Sequence, residues 1–538
     1  MKILKYKYVK SAALLTSLAA VCEVLMSYSL SLLVVNKVNL LVKNIVIVGI
    51  IYLAQSIFLF LRLRVGAQAS THIQQVLNQN IDKYFAHMSF QKFHEKDHGE
   101  RLSMYINDVP KVVELTIDKF ISQVSMGTMA IASFVALVYI HFSMGILAVI
   151  SFIIMAGLPR LFQKKLSAYI SGMQGKKAGY TSKMRELLQG FTTFFENRAF
   201  PVFFRKSFNA SKKYTAYQLH TETFTAVMSA VLTLANGLIS VISVAIVAYY
   251  VIIGQVNAGS LLAVVALVPN FGSSVTQLLT EHEFYKSGLA LFEEKFSFAK
   301  NDYRLQTPQK ELLEESVAIQ ETNQLQSRAT SLRLEGVTVN YTEPLALPDL
   351  EFKEGKKYAV TGESGCGKSS LLKVIIGEIE NYSGKVFAGS ALKSPKQNLF
   401  DIVSYVNQET FLFNDTVKNN IDFSGTMSVR DVESLLKKVG LDSISYDQII
   451  EDNGRNLSGG QRQRLAFARA LARGKRILIL DEATANLDKQ TALKIENLAM
   501  ESTGMVIMIT HHMSEELKHR LDNVIELRSI HGSSISTR

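Results

Sequence analysis

The chain has 538 residues, 48% hydrophobic and 20% charged, which excludes intrinsic disorder as its general state and leaves room for about three or four domains. Its net charge of +11 suits nucleic acid or an anionic membrane surface alike. Two cysteines, Cys22 and Cys366, exclude a disulfide scaffold and a multi-cysteine metal site.

The placement of charge says more than its sum. No Asp, Glu, Lys or Arg occurs over residues 44–61, 120–159 or 223–280, and only Glu23 is charged over 11–36. A helix needs about 20 apolar residues to cross the hydrocarbon of a bilayer, so the two longest runs each hold two crossings. Six spans are predicted, over residues 11–35, 44–61, 121–140, 145–158, 224–253 and 260–279. The N-terminus has the basic start and apolar run of a signal peptide, but the run continues past Glu23, so it is read as a retained first span. Glu23 is either a substrate or proton contact or a neutral, hydrogen-bonded group at a cavity wall.

Basic residues set the orientation. Eight Lys and Arg lie over residues 62–119, twelve over 160–222, and Lys2, Lys5, Lys7 and Lys10 precede the first span, against Lys37 and Lys43 on the other side. Both long loops and both termini are therefore expected on the cytoplasmic side of a cell membrane. The same asymmetry explains much of the positive charge, so no nucleic-acid partner is expected. The loops contain almost no Gly or Pro clusters. They are predicted as helical continuations reaching about 35–40 Å beyond the bilayer, with turns near 89–99 and 190–205. Such turns are where a cytoplasmic domain could touch the membrane half. Domains are read as 1–285 transmembrane, 286–331 linker and 332–538 cytoplasmic. The linker is helix continuation and then a Gln/Ser/Thr stretch over 324–331, its charges a solvated face.

From residue 332 the pattern becomes soluble α/β. A strand over 357–361 runs into Gly362, Glu363, Ser364, Gly365, Cys366, Gly367, Lys368 and Ser369, followed by a helix from Ser370 to Gly377. This is G-x-x-x-x-G-K-[ST] in a strand–loop–helix setting, a P-loop. The glycines let backbone N–H groups turn inward on phosphate oxygens, and the helix N-terminus adds its dipole. Lys368 reaches the outer phosphates and the Ser369 hydroxyl ligates Mg²⁺. Cys366 is a small filler. Residues 457–461, Leu457, Ser458, Gly459, Gly460 and Gln461, open a helix over 462–472 and form a second anion cradle. A strand over 476–480 ends in Asp481, suited to the Mg²⁺ shell, and Glu482, suited to polarising water. A strand over 505–510 ends at His511, placed for a phosphate contact, with a weaker claim for His512. One nucleotide does not need two cradles. Either they hold separate ligands, or they meet across an interface between two copies.

These motifs resemble the nucleotide-binding domain of ABC transporters, in the order GESGCGKS, YVNQETFLF, LSGGQRQRLAFARAL, ILILDEATANLD and THH. The six spans, with HGERLSMYINDV and ELLQGFTTFFENRAF in the long loops, resemble exporter-type half-transporters. The resemblance implies an α-helical membrane domain fused to an α/β P-loop ATPase. By the same resemblance Tyr341 stacks on adenine, Ser370 belongs to the nucleotide loop, and Gln408 touches Mg²⁺ and senses the membrane half. Glu482 becomes the catalytic carboxylate and His511 the switch histidine on the γ-phosphate. Residues 485–488 become an interface loop, with Asn486 where a small residue is usual. Two nucleotide-binding domains would pack head to tail with ATP between the P-loop of one and LSGGQ of the other, so this chain pairs with itself or with another half-transporter. Eleven residues follow Leu527, where the family usually continues with a strand and helix, and no cysteine-protease domain precedes the first span, so leader-peptide cleavage is not expected.

The expected function is ATP-driven transport in contact with membrane lipid, with ATP and Mg²⁺ as cofactors and a peptide or amphipathic small molecule exported by alternating access. The alternatives are an exporter-shaped importer of metal–siderophore complexes and, more distantly, an ABC ATPase or sensor that transports nothing.

Overall fold

The structure, a computed structural model, describes residues 7–35, 37–95, 98–299, 331–408, 410–484, 487–510, 513 and 515–528. Residues 1–86 with 98–305 form one compact unit, and residues 87–97 with 306–538 form another. The expected linker lies largely outside the described residues, as do His511, His512 and Asn486.

The first unit is helical. Its main elements are α1 (Lys7–Ser29), α2 (Val38–Ala86), α4 (His98–Ser103), α5 (Val109–Val113), α6 (Lys119–Ile140), α7 (Phe142–Gln189), α8 (Phe191–Glu196), α9 (Phe200–Ile252) and α10 (Ser260–Lys295). Among the described residues, six helical stretches are long and apolar enough to cross a membrane, and each holds one predicted span. The spans do continue as helix: α2, α7 and α9 are 49, 48 and 53 residues long. The expected turns appear where α2 stops at Ala86, and where Gly190, α8 and Arg198, with its positive φ of 49°, reverse the chain. The helical stretch that leads into the third span departs from a plain α-helix. Pro110 lacks an N–H, and π-helical turns at Met104–Asp108 and Glu114–Asp118 flank α5. There α10 approaches closely, since a Cβ on Gly288 would lie 2.6 Å from Leu115 Cβ.

One apolar core joins α1, α6, α7, α9 and α10 through Val24, Met129, Leu137, Met155, Val247 and Leu267. Another joins α2, α5 and α10 through Ile73, Leu77, Val113 and Phe292. Ile45, Ile50, Leu53 and Phe60 of α2 stay exposed, as lipid-facing residues do. Polar pairs tie α1 to its neighbours: Thr128 donates to Ser17 at 3.2 Å and Asn270 to Ser27 at 3.1 Å. Glu23 is half-buried on the same helix.

The second unit holds α3 (Phe90–Glu95) and an α/β domain. An antiparallel sheet is built on β1 (Ser331–Val339), which pairs with β2 (Leu345–Ala346), β3 (Leu350–Lys353) and β5 (Tyr382–Ala388), while β6 (Ala391–Leu392) pairs with β5. A parallel sheet has the order β10-β4-β9-β8-β7, from β4 (Lys357–Gly362), β7 (Val403–Val406), β8 (Ile477–Asp481), β9 (Met505–Ile509) and β10 (Asn523–Leu527). All five residues of β8 and of β9 are buried, which is why β9 and the four residues of β8 before Asp481 read as apolar runs. Phe352, Leu371, Ile375, Val403 and Ile507 pack the two sheets around α11 (Lys368–Ile376). A second core, with Val432, Leu436, Leu465 and Phe467, packs α12 (Val417–Ile421), α13 (Val429–Lys438) and α14 (Gly459–Ala472).

Lys393 sits in this unit at 3% exposure, and its ammonium has no hydrogen-bond partner among the described residues. Burial pushes it down to about 8 from 10.5, against the pull of Glu380. The folded state therefore disfavours the protonated form. That penalty is full below pH about 8 and fades towards 10.5, where the unfolded chain also loses its proton. Lys393→Met should raise the melting temperature at pH 7 by a few degrees, and the gain should shrink in melts at pH 9.5.

Candidate active site

Parallel pairing brings the carboxyl ends of β4, β7, β8 and β9 to one edge, where α/β sheets hold ligands. From β4 the chain enters the P-loop. Gly362, Gly365 and Gly367 have φ of +144°, +85° and +98°, conformations that side chains rarely adopt. A Cβ on Gly362 would lie 2.2 Å from the Leu527 carbonyl, so glycine there also lets β10 pass. The Lys368 ammonium donates to the Gly362 and Glu363 carbonyls, both at 2.8 Å, and lies at the centre of the loop. Ser364 and Ser369 are exposed, while Cys366 is buried and packs in the sheet core, as expected of a filler. Tyr341 is 49% exposed, and its hydroxyl lies 3.1 Å from that of Ser370 on α11. An exposed ring on the loop's flank has the shape of a stacking platform.

The ends of β7 and β8 meet. Gln408, two residues past β7, donates through Nε2 to Glu482 Oε2 at 3.0 Å. Glu482 takes a positive φ of 51°, strained for a non-glycine residue, and its N–H donates to the Ile509 carbonyl at 3.2 Å. Its neighbour Asp481 is buried at the end of β8 and accepts from the Tyr405 hydroxyl at 3.0 Å. Burial pushes the Asp481 carboxyl up, while that hydrogen bond and the charges of Lys373 and Lys368 draw it down. The Asp481 carboxylate therefore feels the P-loop cation.

LSGGQ has a different setting. Ser458 caps α14 in a reciprocal box: Gln461 N–H donates to Ser458 Oγ at 3.2 Å, and Ser458 N–H to Gln461 Oε1 at 2.8 Å. Leu457 anchors the motif in the helical core, and Gly459 and Gly460 form the first helical turn. Among the described residues no hydrogen bond joins LSGGQ to GESGCGKS. Gly459 instead shares a cavity of about 530 Å³ with Gln408, Thr410, Asn453 and Gln463. Hence the chain brings Gln408, Asp481, Glu482 and the P-loop to one edge, and gives its second cradle a separate helix.

Sequence reasoning missed several residues. Tyr405 orients Asp481, but nothing in a mid-strand tyrosine signals that. Arg469 of α14 holds the segment after Gln408 by donating to the Phe411 carbonyl at 3.0 Å and the Asn420 carbonyl at 2.7 Å. Gln91 of α3 accepts from the Glu380 N–H at 3.2 Å, so the turn between the second and third spans packs on the ATPase domain within its unit.

Residues 346–485 match the model of the ABC transporter family, and residues 9–275 match its ABC transporter transmembrane region. The chain belongs to the ABC transporter family. It is a half-transporter of exporter-type fold, with an ATPase coupled to transport. An ATP-dependent lipid A-core flippase of Haemophilus ducreyi is 24% identical over 463 residues, 83% of this chain and 77% of that one. A lactococcin-A transport/processing ATP-binding protein of Lactococcus lactis is 33% identical over 198 residues, 35% of this chain and 28% of that one. The solved structure of a bacterial Atm1-family ABC exporter with ATP bound superimposes with a TM-score of 0.73 at 18% identity, covering 97% of this chain and 95% of that one, which establishes the fold.

Lys368→Ala removes the one ammonium seated in the loop. Nucleotide affinity of this ABC transporter should fall by at least about tenfold, the loss of a charge-assisted phosphate contact. Titration with a fluorescent ATP analogue measures it, and unchanged affinity would remove the P-loop role.

Proposed function

We propose that this chain is one half of a dimeric exporter that moves a peptide or amphipathic molecule out of the cell, with its ATPase domain and both termini in the cytoplasm. The observation that carries the reading is the Gln408–Glu482 hydrogen bond at the sheet edge beside the P-loop. In this reading it holds a carboxylate beside the water that would attack the γ-phosphate, and fastens it to a glutamine just ahead of the segment that Arg469 holds. The named cargoes of the relatives, lipid A-core and lactococcin, support an amphipathic cargo here.

The donor set fits Mg²⁺. The Ser369 hydroxyl, the buried Asp481 carboxylate and the Gln408 amide are hard oxygen ligands, and Mg²⁺ is held by one or two carboxylates together with phosphates. Bound there, the ion neutralises charge developing on the phosphates. In this reading Lys368 and the loop N–H groups hold the phosphates, Tyr341 stacks on the adenine, and Tyr405 keeps Asp481 oriented. Glu482 accepts a proton from the attacking water, and His511 contacts the γ-phosphate. LSGGQ of a second chain completes the site. Its Ser458 and Gln461 are committed to their own cap, so the free N–H groups of the first turn of α14 would meet the phosphate. One P-loop and one LSGGQ per chain support pairing, with an identical chain or with another half-transporter.

Glu482→Gln should keep ATP binding and lower turnover by at least about a hundredfold, as expected for loss of a general base. Wild-type turnover in the variant would end that assignment. The Mg²⁺-dependent ATPase rate of the chain purified alone in lipid separates the assemblies. A robust rate lost in Glu482→Gln means two copies build two working sites, and no rate above that control means a different partner half supplies what is missing.

A further inference from the structure

We infer that a soluble polyanion carrying several phosphate groups binds between α7 and α9, in a pocket of about 480 Å³ lined by Lys176, Lys183, Lys206, Lys213, Asn209 and Tyr180. The pocket lies within the helical unit and takes no part in the nucleotide site. Its size falls in the range of small-molecule sites.

The two helices lay out four ammonium groups. Lys176 and Lys183 are seven residues apart on α7, as are Lys206 and Lys213 on α9, so each pair shares one helix face and spans about 10 Å. The helices run antiparallel in a register fixed by the Tyr180–Tyr214 stack, 5.6 Å between centroids, and by Ser207 Oγ against Met184 Sδ at 3.6 Å. This puts Lys176 level with residues 215–218, where its ammonium lies 5.7 Å from the Tyr217 ring centroid, and Lys183 level with 208–211, so Lys213 and Lys206 each lie within about one and a half turns of a lysine on α7. Lys183 is paired with Glu186 at 2.6 Å. Among the described residues no ion pair holds Lys176, Lys206 or Lys213, and no carboxylate lines the pocket. Four cations spread over two helices match several phosphates better than one small anion. Asn209 and Tyr180 add neutral polar contacts.

Two glycines keep the space open. Gly175 and Gly179 lie inside α7, where glycine weakens a helix relative to alanine. A Cβ at either would meet nothing within 4 Å, so packing does not call for glycine at these positions. They leave room between the lysine stems.

Membrane topology accounts for only part of the cluster. Lysines near a span end are expected from orientation, but that bias fades within about 15–20 residues. Lys213 lies 11 residues before the fifth predicted span, and Lys176 and Lys206 each lie 18 from a predicted span end, within that range, whereas Lys183 lies 25 residues past residue 158, about 38 Å of helix. The headgroup layer extends only about 5–8 Å beyond the hydrocarbon, so a lipid phosphate does not reach it.

The test uses the full-length protein in neutral-lipid nanodiscs, acylated with a lysine-reactive ester and read residue by residue by mass spectrometry, with and without inorganic tripolyphosphate. Lys176, Lys206 and Lys213 should react about fivefold more slowly at probe concentrations several times its Kd, while exposed Lys437 and Lys438 keep their rates. Gly179→Leu adds a side chain to the pocket lining at a position where a Cβ meets nothing within 4 Å, and should abolish the protection. No protection, equal protection of all lysines, or unchanged protection in Gly179→Leu would overturn the site. So would protection by phosphatidylglycerol nanodiscs alone, which would assign the pocket to lipid. Lysines that react only after the assembly is dissociated would assign it to a second copy of the chain and overturn the proposal equally.

Discussion

Parallel pairing of β7, β8, β9 and β4 is the constraint on which the ATPase half depends. Parallel strands end on the same side, so every chain reversal that follows them collects on one edge. The P-loop, Gln408, Asp481 and Glu482 are far apart in sequence and meet because of that rule. The cost is a sheet buried on both faces, met by the unbroken Ile, Leu, Met and Val of β8 and β9. At the edge itself the backbone leaves its comfortable range. Glu482 accepts a left-handed φ, and three P-loop glycines take angles that other residues avoid. Strain and positive φ gather where the chain must turn a functional group outward.

LSGGQ shows how a motif proposed for binding also serves folding. Its serine and glutamine close a reciprocal helix cap, its leucine sits in the helical core, and its glycines leave the first-turn N–H groups uncovered. Removing the serine would weaken the helix as well as any site it forms, so mutational effects there would mix the two. Among the described residues no hydrogen bond joins the motif to the P-loop of its own chain.

Much of this was legible in the sequence, for physical reasons. Charge-free runs announce spans because an unpaired charge in hydrocarbon is costly, and all six predicted spans lie in helices of sufficient length. The P-loop and the strands before it were readable because glycine at fixed spacing and buried parallel strands leave strong patterns. The sheet edge beyond the acidic pair was less so. Tyr405 looks like any strand tyrosine until Asp481 is placed beside it, and Gln91 gains meaning only from its contact with the Glu380 N–H. The π turns around Pro110 were also invisible, since a widened turn keeps the same apolar pattern as an α-helix. The helices were expected to extend beyond the spans, but the points where they end depend on single residues such as Arg198.

The length of α9 has a mechanical consequence. At 1.5 Å per residue its 53 residues make a rod of about 80 Å, with its proline confined to the first turn. Such a rod acts as a lever arm. A tilt of about 5° about one end carries the other end through roughly 7 Å, more than one helical turn. Small angular changes within a bilayer can therefore become displacements the size of a side chain at the far tip, without any helix unwinding. A stiff arm gains reach at the expense of tolerance: an inserted residue rotates everything beyond it by about 100°, so the length of α9 is held to whole turns far more tightly than its composition is.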